Sequence, residues 1–291
     1  MATQVIPTFG WRRLVPYFQA GPLALVFALF LVFPITTIVI VSFFDYNSVQ
    51  IIPAFIFDNY HDVLFSKVTW QTYLNTFAYV VTVWAITLFI GFWIAYFLVF
   101  HIRTTTVRIA LFLLTTIPFW TSNVIRMISW IPLLGRNGLV NALLLHMGVT
   151  RHPLEFLLYS PFSVVVAFVH LNTFFMIVPI SNTMARIDKS LIEAARDANA
   201  TGWQILTNVI IPLSKTGIAI GSIFIFTVVM GDFATVNVMS GGQSASVGLM
   251  MRNEMSELQY PAAAANAVVL LLIMLVIVAA IVRLVDIRKE L

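Results

Sequence analysis

Six stretches of about 20 apolar residues dominate this sequence, and each is long enough to cross about 30 Å of hydrocarbon as a helix. They run near 22–44, 74–100, 109–128, 159–181, 209–233 and 262–282. A lone strand in lipid leaves backbone groups unpaired, so the stretches predict helices. The fold class that follows is an all-α membrane protein with six transmembrane helices. Residues 1–21 form an N-terminal segment on the cytoplasmic side, and residues 22–291 a single transmembrane domain. Composition agrees: 60% of residues are hydrophobic and 10% charged, against about 25% charged in soluble domains. The chain has no Cys, which excludes disulfides and thiolate chemistry. The first span follows Arg12 and Arg13, as a signal peptide would. It is too long for one, and Phe43, Phe44, Asp45 and Tyr46 offer no small-residue cleavage site, so it reads as retained. Residues 131–147 are moderately apolar, but Pro132, Gly135, Arg136 and Gly138 interrupt them, which reads as an interfacial or re-entrant piece.

Charge sets the orientation. With the N-terminus inside, eleven of the 16 Lys and Arg residues fall on inner segments: Arg12, Arg13, Arg103, Arg108, Arg186, Lys189, Arg196, Lys215, Arg283, Arg288 and Lys289. Lys67, Arg126, Arg136, Arg151 and Arg252 fall outside. The bias places both termini in the cytoplasm. The outer segments carry Asp45, Asp58, Asp62, Glu155, Glu254 and Glu257. An acidic outer face suits a basic partner or a cationic solute, although acidic loops are also common without one.

The longest polar stretch joins the fourth and fifth spans, on the cytoplasmic side. Ser190 is placed to cap a short helix, with Glu193 three residues on as its capping-box partner. Gly202 is placed to end that helix in a left-handed turn. Leu191, Ala194, Ala195 and Ala198 fall on one face, narrow enough to enter a groove on another protein. Pro212 marks the start of the next membrane helix. An amphipathic connector on the membrane surface is the plain alternative, but such helices carry larger anchors.

At these residues the sequence resembles a known family. Glu193-Ala194-Ala195, Gly202 nine positions later and Ile211-Pro212 nine further resemble the EAA loop of membrane permease subunits from binding-protein-dependent ABC importers. Three more stretches are similar to the polyamine (spermidine/putrescine) branch. They are Pro118–Asn123 through Arg126 with Gly138–Asn141, then Leu191–Asp197, and Gly231-Asp232-Phe233 with Gly241-Gly242 and Pro261–Ala264. The resemblance implies a multi-pass protein of a bacterial inner membrane that forms half of a pore, beside a second permease subunit in a heterodimer. It also implies ABC ATPase subunits below and a periplasmic or extracellular solute-binding protein above. Glu193, Ala194, Ala195, Arg196, Asp197 and Gly202 would couple to the ATPase. Permeases for opines, phosphonates, sulfate, thiamine or iron share the architecture. The chain has no G-x-x-x-x-G-K-[ST] loop and no H-E-x-x-H motif, so its energy source is a partner or an ion gradient. The resemblance implies ATP and Mg on a partner ATPase and a chain that is not itself an enzyme.

Candidates for the solute path are Asp232, Phe233, Trp120, Trp130 and Tyr159. A carboxylate at the outer end of the fifth span attracts an ammonium group, and aromatic faces attract cations. The competing readings are a helix cap or ion pair for Asp232 and an interfacial belt for the aromatics. Arg126 repels a cation, so it reads as structural, as gating, or as evidence against a polyamine. His170, alone in the fourth span, reads as one end of an interhelical hydrogen bond. Gly217 and Gly221, and the alanines at 262–265 and 267, permit close helix approach, either within the bundle or between subunits. An ion-driven transporter would show mid-span acids or inverted repeats, and a membrane scaffold would need no solute path. The EAA string counts against both.

Overall fold

The computed structural model describes residues 11–47 and 50–285, so Arg288, Lys289 and residues 1–10 lie outside the described residues. Fifteen α-helices, numbered in chain order, make up most of the described structure. The N-terminal span is α1 (Trp11–Phe27), a π-turn (Ala28–Val32) and α2 (Phe33–Val41). A two-residue hairpin, β1 (Asp45–Tyr46) against β2 (Ile51–Ile52), and α3 (Asp58–Phe65) lead to α4 (Lys67–Tyr96), which ends in a second π-turn (Phe97–His101). Then come α5 (Thr105–Thr116), α6 (Asn123–Ile128), α7 (Trp130–Leu134), α8 (Leu139–His146) and the long α9 (Pro161–Met184). After the polar loop, with α10 (Lys189–Asp197) and α11 (Gly202–Ile205), a third π-turn (Leu206–Ile210) runs into α12 (Ile211–Gly231). Helices α13 (Ala234–Ser240), α14 (Val247–Ser256) and α15 (Tyr260–Val285) complete the chain.

Helices α4, α9 and α12 form the core, and glycines set how closely they meet. A Cβ on Gly217 would lie 2.2 Å from Thr183 Oγ1 and 2.5 Å from the Pro179 carbonyl oxygen. One on Gly221 would lie 2.6 Å from Met176 Sδ, and one on Gly91 of α4 2.9 Å from Met176 Cβ. Real Cβ atoms do not approach so closely, so α9 is received on both sides by surfaces that only glycine provides. The small-xxx-small pattern of α12 therefore serves packing within this chain. Val80, Val83, Phe168, Met176, Ile180 and Ile225 fill the interior. Where lipid supplies no hydrophobic drive between helices, buried polar groups add ties. Trp84 Nε1 donates to Ser222 Oγ at 2.8 Å, joining α4 to α12. Tyr73 of α4 donates to the Asn266 carbonyl of α15 at 3.1 Å, and Asn266 Nδ2 donates to Glu254 of α14 at 3.0 Å. Ala263, Ala264 and Ala265 are buried against these neighbours.

Among the described residues six helical runs are long and apolar enough to span: 19–41, 67–101, 123–146, 155–184, 202–231 and 260–285. Two expectations need correction. The predicted third span, 109–128, is not one helix. It begins as α5, tightens into a 3-10 turn at Ile117–Trp120 around Pro118, and breaks where Thr121 turns extended. Pro118 has no N–H to extend the α-helical ladder, and Thr121 Oγ1 donates back to the Pro118 carbonyl at 2.8 Å, closing the turn. Residues 123–146 supply a second apolar run, itself turned at Gly135–Gly138, where a Cβ on Gly138 would lie 2.7 Å from the Leu133 carbonyl. The fifth span does not start at Pro212. Its helix begins ten residues earlier at Gly202, and the π-turn, in which Ile211 N–H reaches back to the Leu206 carbonyl, carries the helix past the proline. The N-terminal span contrasts with the core: none of its apolar stretch is buried, and α2 leans on α15.

Candidate functional site

The loop between α9 and α12 is built to hold one short helix firmly at both ends. Asp188, not Ser190, caps α10: its carboxylate accepts the Ser190 N–H at 2.9 Å. That backbone hydrogen bond, with one from the Ser190 hydroxyl, holds the Asp188 carboxyl below the usual carboxylate range. Aspartate is as good a cap as serine, and its position two residues upstream moves the helix start, so the predicted Ser190–Glu193 box does not form. At the other end Asn199, at φ +59°, supplies the left-handed residue expected of Gly202. The Ala200 N–H returns to the Ala195 carbonyl at 3.0 Å, closing the carbonyls of the last turn. Asparagine adopts this conformation more readily than other non-glycine residues. Gly202 instead opens α11, and a capping box does occur there. Gln204 N–H donates to Thr201 Oγ1 at 3.3 Å, and Thr201 N–H to Gln204 Oε1 at 2.8 Å.

The orientation of α10 divides its residues. Ile192 and Ala195 are half-buried and pack on the core edge. Glu193, Ala194, Arg196, Asp197 and Ala198 are exposed, as is Leu191. The predicted face of Leu191, Ala194, Ala195 and Ala198 is therefore split: Ala195 faces the protein, the others face outward. A Cβ on Gly202 would meet nothing within 4 Å, and its φ lies outside the left-handed region, so nothing in this chain's own packing requires glycine there. Beside it, a cavity of about 400 Å³ opens between α10 and α11, lined by Ala198, Asn199, Gln204 and Asn208 among others.

The candidates for the solute path do not converge. Asp232 caps α13: Thr235 N–H donates to its Oδ1 at 2.8 Å and Thr235 Oγ1 to its Oδ2 at 2.9 Å. Both carboxylate oxygens are engaged, so the geometry favours the cap over a solute contact. Phe233 is exposed and lines an apolar cavity with Thr37, Ile38 and Met255. Tyr159, at φ +54°, lies over Gly241, where a Cβ would come 2.7 Å from its ring. Trp120 is 85% exposed, at the break after α5. Trp130 Nε1 donates to His170 Nδ1 at 3.0 Å, which gives His170 the interhelical partner expected of it. Arg126 is only 7% exposed, donates to Asn123 Oδ1 and leaves its Nε without a partner.

Sequence reasoning counted Glu254 only among the outer acids and missed its burial beside Asn266. Burial, above all, and the neighbouring Glu257 push its carboxyl up to about 7, against the hydrogen bond from Asn266. The spacing of twelve residues between Glu254 and Asn266 carries no helical periodicity, so only the fold brings them together.

Comparison with known proteins gives a consistent picture. Residues 88–289 match the family described as binding-protein-dependent transport system inner membrane component. The spermidine/putrescine transport system permease protein PotB of Haemophilus influenzae is 30% identical over 244 residues, 81% of this chain and 83% of that one. PotB of Salmonella typhimurium is 32% identical over 146 residues, half of each chain. The inner membrane ABC transporter permease protein YdcU of Escherichia coli is 25% identical across 76% of this chain and 74% of its own. Among solved structures, a chain of a bacterial ABC transporter involved in the import of the acidic polysaccharide alginate superimposes with a TM-score of 0.78. That match covers 94% of this chain and 96% of that one at 18% identity, a likeness of fold.

Proposed function

This chain belongs to the binding-protein-dependent transport system inner membrane components, and on that premise we propose that it forms half of the pore of an ABC importer for a polyamine or similar small cation. As a member it is a multi-pass permease of an inner membrane. The observation that carries the coupling role is the placement of α10. It is seated on the core by Ile192 and Ala195, offers Glu193, Ala194, Arg196 and Asp197 outward, and sits between α9 and α12, two of the three core helices. A push on α10 is thereby delivered to the centre of the bundle. In this reading the α10 side and both termini face the cytoplasm, in line with the Lys and Arg bias. A separate ATPase grips α10 and carries the ATP and Mg, so this chain makes no bond and breaks none. A second, non-identical permease completes the pore, and a soluble binding protein delivers solute from outside.

The polyamine assignment rests on the relatives named for spermidine and putrescine. In this reading Phe233, Trp130 and Tyr159 offer aromatic faces along the path, with Trp120 at its rim. One observation favours a second reading, an anionic solute: Arg126 is buried, and no described acid pairs with it. Among the relatives is a chloroplastic sulfate permease, 28% identical over 163 residues. The deciding experiment co-purifies the chain from native membranes, identifies the accompanying proteins, and measures ATP-dependent uptake of radiolabelled putrescine and sulfate by the reconstituted assembly. Putrescine uptake that needs the ATPase supports the reading. Sulfate uptake instead overturns the solute, and a chain that emerges alone after cross-linking overturns the coupling. Within the working importer, Asp232→Asn, which can still cap, is expected to leave uptake unchanged, whereas Asp232→Ala lowers thermal stability by about 1 kcal/mol. A large loss of uptake in Asp232→Asn would return that charge to the path.

A further inference from the structure

Where α5 begins and α9 ends, on the α10 side of the bundle, a cavity of about 350 Å³ opens between the two helices and the π-turn that ends α4. Its wall is apolar, with Leu98, Ile109 and Phe112 among the residues that line it. Its polar end is Arg108, Ser181 and Asn182. Ser181 is 93% buried, being 7% exposed, and its hydroxyl has no hydrogen-bond partner in the protein. Most serines in membrane helices return their hydroxyl to a carbonyl three or four residues back, as Thr173 and Thr183 of this same helix do. Arg108 is half-buried and forms no ion pair among the described residues. A guanidinium at the end of a membrane helix reaches toward the headgroup layer, and its flat fork of donors matches phosphate.

We propose that this cavity holds the phosphate of an anionic phospholipid, with Arg108 as its counter-charge, the Asn182 amide as a further donor, the now enclosed Ser181 hydroxyl turning toward it on binding, and Leu98, Ile109 and Phe112 against its acyl chain. The pairing of an unpaired cation and an orphaned donor with an apolar wall favours a ligand that is anionic at one end and hydrocarbon at the other. Free phosphate satisfies the first half alone. The acidic side chains nearest in sequence are otherwise placed: Asp188 caps α10, and Glu193 and Asp197 point outward on it. The inference depends on the chain lying in a membrane, not on which solute it carries.

Native mass spectrometry and thermal unfolding of the purified assembly test it. Delipidated protein is titrated with phosphatidylglycerol, with phosphatidylcholine, and separately with inorganic phosphate. The expected result is retained phosphatidylglycerol adducts and an upward shift of the unfolding temperature that phosphatidylcholine does not match. Arg108→Gln should weaken that preference by roughly five- to tenfold, the effect of one cation near the headgroups. Ser181→Ala, which removes a hydroxyl that bonds nothing in the protein, should fold as the parent does in detergent and still lose part of the lipid-dependent shift. Equal binding of both lipids, a full shift with inorganic phosphate alone, or an unaltered preference in Arg108→Gln would each overturn the proposal.

Discussion

Glycine appears in two regions of this molecule for opposite reasons. In the three-helix core, Gly91 and Gly217 are glycine because α9 leaves no room for a Cβ, and a Cβ on Gly221 would press on the Met176 sulfur. In the loop between α9 and α12, Gly202 has open space where its Cβ would stand and an ordinary backbone. The core completes its contacts within the chain. The loop is anchored by Ile192 and Ala195 but leaves most of α10 uncovered. A residue whose identity the chain's own packing does not require is a residue that something outside the chain can read, and the difference separates what holds the protein together from what it presents.

Substitution at the two kinds of glycine tests this division most severely. Gly217→Leu should abolish stable, folded protein in detergent, because the added atoms meet the backbone oxygen of Pro179, which cannot move aside as a side-chain end can. Recovery of a monodisperse, fully helical protein with unchanged melting temperature would show that the helices separate easily and that the core is not as close as described. Gly202→Leu should leave the melting temperature within a degree or so and yet lower ATP-driven uptake by an order of magnitude or more, with Glu193→Ala in the same direction. Normal uptake and assembly in both variants would remove the loop from the coupling path. The smallest effect belongs to Asp188→Ala. It should speed hydrogen exchange at the first amides of α10, starting with Ser190, while the amides of α9 and α12 stay protected. Faster exchange throughout α9 would mean that loop and core are one unit after all.

How much of this was legible in the sequence depends on the range of the interaction. Five of the six apolar stretches fall on helical runs long and apolar enough to cross a membrane, because the demand for paired backbone groups in lipid overrides local detail. The third failed at Pro118–Ser122, where apolar composition continues through a stretch whose backbone does not. The loop between α9 and α12 was recognisable as a short helix with capping chemistry at each end, yet its boundaries shifted. Asp188 outcompetes Ser190 for the start, and Asn199 takes the left-handed position before Gly202 is reached. Ser, Asp, Asn and Gly are near-equal choices at such positions, so sequence pattern alone does not rank them. The carboxylate at Asp232 was visible, but a helix cap was only one of several readings for it, and Thr235 as the capped residue was not foreseen. Glu254 and Asn266, brought together by fold alone, gave no signal.

The π-turn at Leu206–Ile210 makes the interval from Gly202 to Pro212 a matter of phase. Each residue of an α-helix advances the azimuth by about 100°, and the turn absorbs one residue beyond what an unbroken helix would use. Removing the extra residue of the turn itself would leave the two ends in phase, whereas removing a single residue from the regular winding of α12, with the turn kept, would swing the α11 end and the loop behind it by about 100° around the axis of α12. Every side chain of α10 would survive and face another direction. The loop's spacing is thus an angular setting between lever and shaft, held in the count of residues as much as in their identity.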